Sequence, residues 1–279
     1  MLRARLALVA LVALPLAAGC GGQTYEDITA PPSTIAAAVE RTATVRSFKS
    51  SFHGVYSAPD VGWTLKFKGT GLYDARRRRA SLDMRLSGSA VEGCTCEQKH
   101  LEFVFDSSNG LVAYMRGGPL AGTLPGRRDW LRVDLLRAVG LTKKDWRQLV
   151  QMSRTDPSQV LDQLLAAEKV REIGYDRLRG AFTTHYEVSI DLRRLAKKAE
   201  FRETMRDVAK EIGYGRYVVD VWIDTSNRVR RVSMTVTAKS RHTGPMTLTA
   251  TEEFYGFGKP VRIQRPPPRR TWDPFARRV

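Results

Sequence analysis

The chain alternates apolar and polar residues over many short stretches, which is the pattern of β-strands with one buried face. The first stretch, 48–56, places Phe48 and Phe52 on one side and Lys49 and His53 on the other. The last three stretches have no crossover helix between them, so we expect them to pair as antiparallel neighbours. After 48–56, the stretches with this two-residue period are 63–67, 80–86, 101–105, 111–115, 130–135, 170–175, 182–190, 217–223, 229–238 and 246–254.

Three segments have apolar residues at helical rather than strand spacing. Ser33 or Thr34 is predicted to cap the first helix, because either hydroxyl can accept a hydrogen bond from the helix N-terminus. Together with the strands, the helices predict an α+β fold in which a curved antiparallel sheet is covered by helices on its apolar face. The segments are 33–47, 155–165 with the apolar stripe Leu161, Leu164 and Leu165, and 192–212.

The N-terminus is typical of an export signal, because two arginines precede an apolar run over 6–16 that is too short to span a bilayer. The run ends in Ala18-Gly19-Cys20, which resembles the lipobox of bacterial lipoproteins, with Ala17 where that motif usually has leucine. The resemblance implies that the Cys20 thiol receives diacylglycerol and that cleavage makes Cys20 the first residue. An ordinary secretory peptide cut near Ala18, or an anchor that is never cut, are the alternatives.

Composition divides the chain that follows the signal peptide into three parts. We expect residues 1–19 to be removed as the signal peptide, 20–33 to form a tether and 34–263 to fold as one domain. The proline-rich and basic residues 264–279 are predicted to form an extended, disordered tail.

The chain has 46 Lys and Arg against 29 Asp and Glu, a net charge of +17. Such a surface attracts anions, and export excludes nucleic acid as the natural partner. Near an anionic leaflet each basic residue adds about 1 kcal/mol of attraction, so the basic surface would reinforce an anchor at Cys20. General solubility is the alternative explanation of the charge. The run 76–79 is interpreted as a solvated hairpin tip, with a lipid head-group contact as the less favoured reading.

Two further cysteines, Cys94 and Cys96, lie outside the cytosol if the chain is exported, which favours a local disulfide without a catalytic role. A metal site would need two more ligands, and His100 is the one nearby candidate. We therefore expect neither a metal nor another cofactor.

The sequence has no motif of an extracytoplasmic hydrolase. Gly-x-Ser-x-Gly, Ser-x-x-Lys and His-Glu-x-x-His are all missing, and the four histidines are scattered. Carboxylate pairs such as Glu252 with Glu253, or Asp220 with Asp224, remain open as acid–base partners that the fold could assemble. The sequence favours a protein that is not an enzyme.

The order of several short motifs resembles the LppX/LprG family of lipoproteins and, more distantly, LolA-like carriers. The resemblance covers most of 35–263 and implies a half-barrel of antiparallel strands, closed by helices, whose apolar cavity holds acyl chains. The charged helix at 192–212, the Cys94/Cys96 pair and the basic tail depart from the family pattern. The motifs are 112–115, 130–134, Asp156-Pro157 before a leucine-rich helix, 185–188, Asp191-Leu192, 221–224 with 228–231, and 257–261.

These observations predict a monomeric, non-enzymatic lipoprotein on the extracytoplasmic face of the cell membrane, which binds or carries a lipid or lipidated molecule. The alternative is an envelope sensor or assembly lipoprotein that has a filled core and acts through its outer surface. The expected cavity wall consists of the inward-facing residues Phe52, Trp63, Leu65, Phe67, Leu82, Met84, Phe103, Leu161, Leu164, Leu165, Tyr186 and Val219.

Overall fold

The computed structural model describes residues 28–89, 95–134, 159–191, 216–240 and 244–276. The described residues form two α-helices, thirteen strands and short 3-10 turns. In chain order the elements are β1 (Thr29–Ala30), α1 (Pro32–Ala43), β2 (Ser47–Ala58), β3 (Trp63–Asp74), β4 (Arg79–Ser89), β5 (Thr95–Asp106), β6 (Val112–Gly117), β7 (Trp130–Asp134), α2 (Gln159–Leu164), β8 (Ala167–Leu178), β9 (Ala181–Asp191), β10 (Arg216–Asp224), β11 (Val229–Ser240), β12 (Gly244–Tyr255) and β13 (Thr271–Trp272).

The strands pair into one sheet in the order β1-β8-β9-β10-β11-β12-β2-β3-β4-β5-β6-β7-β13. Every pairing is antiparallel except that of β13 with β7, which is parallel. The predicted antiparallel pairing of β10, β11 and β12 is confirmed. The pairing of β12 with β2 joins the C-terminal strands to the N-terminal ones, so that both groups share one large open sheet.

Register gives the sheet two faces of different composition. The inner face carries Phe48, Val188, Val221 and Phe254, which are buried beneath α1 and α2. The outer face carries the residues between them, most of which are polar or charged. Three hydroxyl pairs join β11 and β12 on the outer face, and in the first of them Ser233 Oγ lies 2.9 Å from Thr251 Oγ1.

The helix α1 begins one residue earlier than the sequence predicts. Pro31 is its N-cap residue, Pro32 is its first residue, and no side chain caps its N-terminus. The prediction of a Ser33 or Thr34 cap was therefore wrong, because the fixed φ of proline suits the first helical position and Pro32 starts the turn. The helix buries four residues at helical spacing against the inner face, namely Ile35, Ala38, Val39 and Thr42.

The main core lies at one end of the inner face. Leu161 and Leu164 of α2 join the buried residues of α1 above strands β8 to β12 and the start of β2. Phe254, which is 1% exposed, packs edge-on against Phe48 with ring centroids 5.7 Å apart. The two described helices thus cover part of the apolar face.

The C-terminal segment is not a disordered tail over the residues that the structure describes. Thr271–Trp272 pairs with β7, and Ile263 is buried with Val104 and Trp130 on the outer face. The prediction was wrong here because proline-rich and basic composition says nothing about a docking partner. That partner is a small group of apolar residues on the otherwise polar outer face, which the segment covers.

Acidic side chains fix the same segment to the sheet. Asp106, which is 3% exposed, accepts hydrogen bonds from Arg79 at 2.8 Å and from Arg265. At the far end Arg132 donates to Asp273 at 2.7 Å. In the run 76–79, the first three arginines are exposed in a turn as predicted, whereas Arg79 is held by Asp106.

Candidate functional site

The inner face continues beyond the core onto strands β2 to β5, and the register aligns the predicted wall residues there. Phe52 lies opposite Gly69, and Gly69 lies opposite Met84. In the next row Gly71 lies opposite Leu82, which in turn lies opposite Phe103. The pairing therefore places these residues on one face of the sheet.

Two phenylalanine rings lie next to glycines of the neighbouring strand. A Cβ atom on Gly69 would come within 2.6 Å of the Phe52 ring, and one on Gly54 within 2.4 Å of the Phe67 ring. The two rings are 6.5 Å apart, centroid to centroid. Because each glycine leaves room for a ring on the opposite strand, the rings add an apolar surface of low relief.

More aromatic side chains border this surface. The rings of Phe103 and Phe105 stack with centroids 6.2 Å apart and planes 5° apart. On the other side Tyr56 and Trp63 meet edge to face at 4.9 Å. The surface between them is apolar across four strands.

Exposure divides the predicted wall residues into three groups. Leu161, Leu164 and Val219 are at most 2% exposed and belong to the closed core, and Leu165 is 37% exposed. The other eight are half-buried. Seven of these eight lie on β2 to β5. With Trp63 at the border, the other six form what we call the open apolar patch: Phe52, Leu65, Phe67, Leu82, Met84 and Phe103.

Tyr186 lies elsewhere, in a pocket of about 390 Å³ at the N-terminal end of α1. Tyr175 and Phe182 line the same pocket and are 77% and 61% exposed. Burial, with a nearby Glu172, raises the pKa of Tyr186, so the phenol stays neutral. Sequence reasoning missed Tyr175 and Phe182, although both are aromatic residues next to the β8–β9 turn.

The phenol of Tyr217 lies where α2 meets the sheet. Burial raises the pKa of Tyr217 to about 12, and its hydroxyl donates to Gln163 Oε1 at 2.5 Å. A neutral tyrosine at this place makes a structural hydrogen bond rather than an acid–base contribution.

The carboxylates that the sequence left open as acid–base pairs have structural partners. Asp224 accepts from the Arg228 side chain and caps the turn after β10, and Arg230 lies 2.9 Å from it. Burial raises the pKa of Glu253, but hydrogen bonds from Arg231 and Arg179 outweigh that effect and lower it. A carboxylate whose pKa arginines lower, as they do for Glu253, is a poor proton donor.

His185 faces outward, as predicted. Its Nε2 lies 2.8 Å from Asp220 Oδ1, and its ring stacks on Trp222 at 4.2 Å. Among the described residues, no group of three His, Cys, Asp or Glu side chains could hold a metal ion.

Several predicted features lie outside the described residues: Cys20 with its signal peptide, Cys94, the side chain of Cys96 and the helix at 192–212. In the part of the chain that is described, no helix has the length and apolar character needed to cross a membrane.

No protein-family model and no curated protein sequence matches the chain. Two solved structures are similar to it over 84% of its length at 14% identity and a TM-score of 0.44: LprF from Mycobacterium bovis, covered over 96% of its chain, and the Mycobacterium tuberculosis lipoprotein LppX, covered over 100%. The resemblance to LppX/LprG-type lipoproteins is confirmed. A DUF1329 family protein from Desulfovibrio piger is similar at 10% identity, over 83% of this chain and 94% of that chain, with a TM-score of 0.27.

These similarities transfer no residue role and no ligand to this chain. The chain's own side chains supply the basis for a function. Their main feature is the contrast between a closed core and an open apolar patch on the same face.

Proposed function

We propose that the chain is a non-enzymatic, lipid-anchored protein that binds or carries a lipid or lipidated molecule, with the acyl chains lying on the open apolar patch. The observation that carries this proposal is the half-buried state of Phe52, Phe67 and Met84, which continue the inner face beyond its core. An acyl chain would remove this surface from water, and each buried methylene group contributes about 0.8 kcal/mol.

The shape of the patch fits an acyl chain better than a compact head group. The rings over Gly54 and Gly69 leave a surface of low relief on which a flexible chain can lie in several registers. Apolar contacts have no direction, so affinity would come with little head-group specificity. The proposal includes a second wall opposite the patch, which a half-barrel closed by helices would provide.

The proposed setting is the extracytoplasmic face of the cell membrane. Acylated Cys20 would hold the monomer there after loss of 1–19, with residues up to 33 as the tether. An open patch needs a lipid source, and a membrane-tethered protein is next to one.

A charge on the open patch is expected to weaken binding of a dansyl-labelled fatty acid. In Leu82→Asp a carboxylate replaces a half-buried apolar side chain that lies opposite Phe103. The acyl chain would lose the leucine contact and bury a charge, so we expect the dissociation constant to rise at least about tenfold. Fluorescence titration of the full chain measures it.

Ser87→Asp is the matched control, since Ser87 lies on the same strand as Leu82 and faces outward opposite Lys66. Equal affinities for the two variants, with circular dichroism unchanged, would contradict the proposed site. Native mass spectrometry of gently extracted protein tests the function separately: a co-purifying lipid supports it, whereas an empty chain with a bound protein would favour the envelope sensor.

A further inference from the structure

Four basic side chains lie directly opposite one another on neighbouring strands of the outer face. His53 of β2 pairs with Lys68 of β3, Lys68 with Arg85 of β4, and Arg85 with His100 of β5. All four are exposed. Because neighbouring strands are about 4.8 Å apart, the basic row formed by these residues spans about 15 Å.

Lys68 and Arg85 are like charges that lie directly opposite each other. Such pairs repel one another and destabilise a sheet. At one end of the row His100 Nε2 lies 3.0 Å from Asp83. Lys68 and Arg85 make no ion pair with another residue in the described ranges, and neither does Lys66 beside them.

On other parts of the outer face several arginines are paired with acids. Arg171 lies 2.9 Å from Glu187, and Arg231 lies 2.5 Å from Glu253. The basic row is therefore a local departure from the way this sheet arranges its charges, and an external anion would remove the repulsion.

We propose that the basic row docks on the anionic head groups of a lipid bilayer. The row is broad, lies on a sheet face and belongs to a chain of net charge +17, which complements an extended negative surface. The flexible stems of Lys68 and Arg85 can bring their charges to the phosphate level. Thr251 of β12 and Ser233 of β11 continue the row without a charge.

The inference rests on the membrane setting proposed above, and it does not depend on acyl-chain binding, which would use the opposite face of the sheet. A bilayer contact at the outer face would leave the open apolar patch turned away from the head groups. Failure of lipid loading and failure of docking are therefore separate results.

Docking is tested with the full chain bound to vesicles of phosphatidylcholine, with or without phosphatidylglycerol, that contain a nitroxide-labelled head group. A genetically encoded fluorophore replaces Ser87, which lies opposite Lys66 on the outer face. We expect quenching in the anionic vesicles, and its loss in high salt. In Lys68→Gln with Arg85→Gln we expect the effective affinity for the anionic surface to fall about thirtyfold, roughly fivefold for each charge.

Arg76→Gln with Arg128→Gln is the matched control, since it removes the same charge from two exposed positions outside the row. Retained quenching in this control, with loss in the row variant, supports the proposal. Equal quenching in neutral and anionic vesicles, or an equal loss in both variants, would overturn it. So would vesicle-independent binding of a labelled oligonucleotide that the row substitutions abolish, because it would assign the row to a polyanion.

Discussion

Phe254→Ala is expected to lower the free energy of unfolding by about 3–5 kcal/mol. The Phe254 side chain is 1% exposed and packs against Phe48 where the inner face is closed by the helices. Its removal would leave a cavity that Ile35 of α1 and the strand residues cannot fill without moving. Urea denaturation, followed by circular dichroism, measures the loss.

Phe67→Ala is the informative comparison, because Phe67 lies on the same face but in the open apolar patch, where it is half-buried. We expect this change to cost less than half as much as the loss of Phe254, since the ring is already partly in contact with water. If both substitutions proved equally costly, the patch would be closed core, and the acyl-chain proposal would lose its main support.

Much of the sheet could be predicted because its two faces differ in chemistry. On β2 the alternation of Phe48 and Phe52 with Lys49 and His53 fixed both the strand and its inward side, and the structure confirms both. The same reasoning identified His185 as outward-facing. Period-two patterns predict faces reliably when one face is buried and the other is not.

Other features depend on contacts that a local pattern does not contain. Nothing in β2 or β12 alone indicates that they pair with each other, because their contact joins residues about 200 positions apart in the chain. The alternation also cannot say which inner-face residues a helix covers, so Val188 and Phe67 look alike in sequence although one is closed core and the other is half-buried.

The C-terminal segment shows the same limit at the other face. Val104 and Trp130 are outward-facing apolar residues in strands whose outer side is otherwise polar, and this exception was the one available signal of a covering segment. Its composition suggested disorder, yet Arg265 pairs with Asp106 of β5, and Arg270 pairs with Asp129 just before β7. Basic residues that look solvated in sequence can thus be structural when the fold supplies buried carboxylates.

Asp106→Asn is expected to cost about 3 kcal/mol at neutral pH, because it removes the buried charge that both Arg79 and Arg265 contact. The loss of stability should appear first in the C-terminal segment, because the contact of Arg265 with Asp106 holds the start of this segment to the sheet. Limited trypsinolysis measures it, since release would expose the bonds after Arg269 and Arg270. Asp273→Asn is the control: its partner Arg132 and Asp273 itself are each about a quarter exposed, and pairs of that kind contribute at most about 1 kcal/mol.

Acid should weaken the same contact. Burial raises the pKa of Asp106, but hydrogen bonds from Arg265, Ser108 and Arg79 outweigh burial and hold it well below its usual range. A carboxyl group with a lowered pKa in the folded state stabilises the protein above its unfolded pKa of about 3.9 and loses that contribution as pH falls towards the folded value. The free energy of unfolding should therefore decline below about pH 4 more steeply in the wild-type chain than in Asp106→Asn. Parallel declines in the two proteins would mean that other carboxyl groups, and not Asp106, control the acid response.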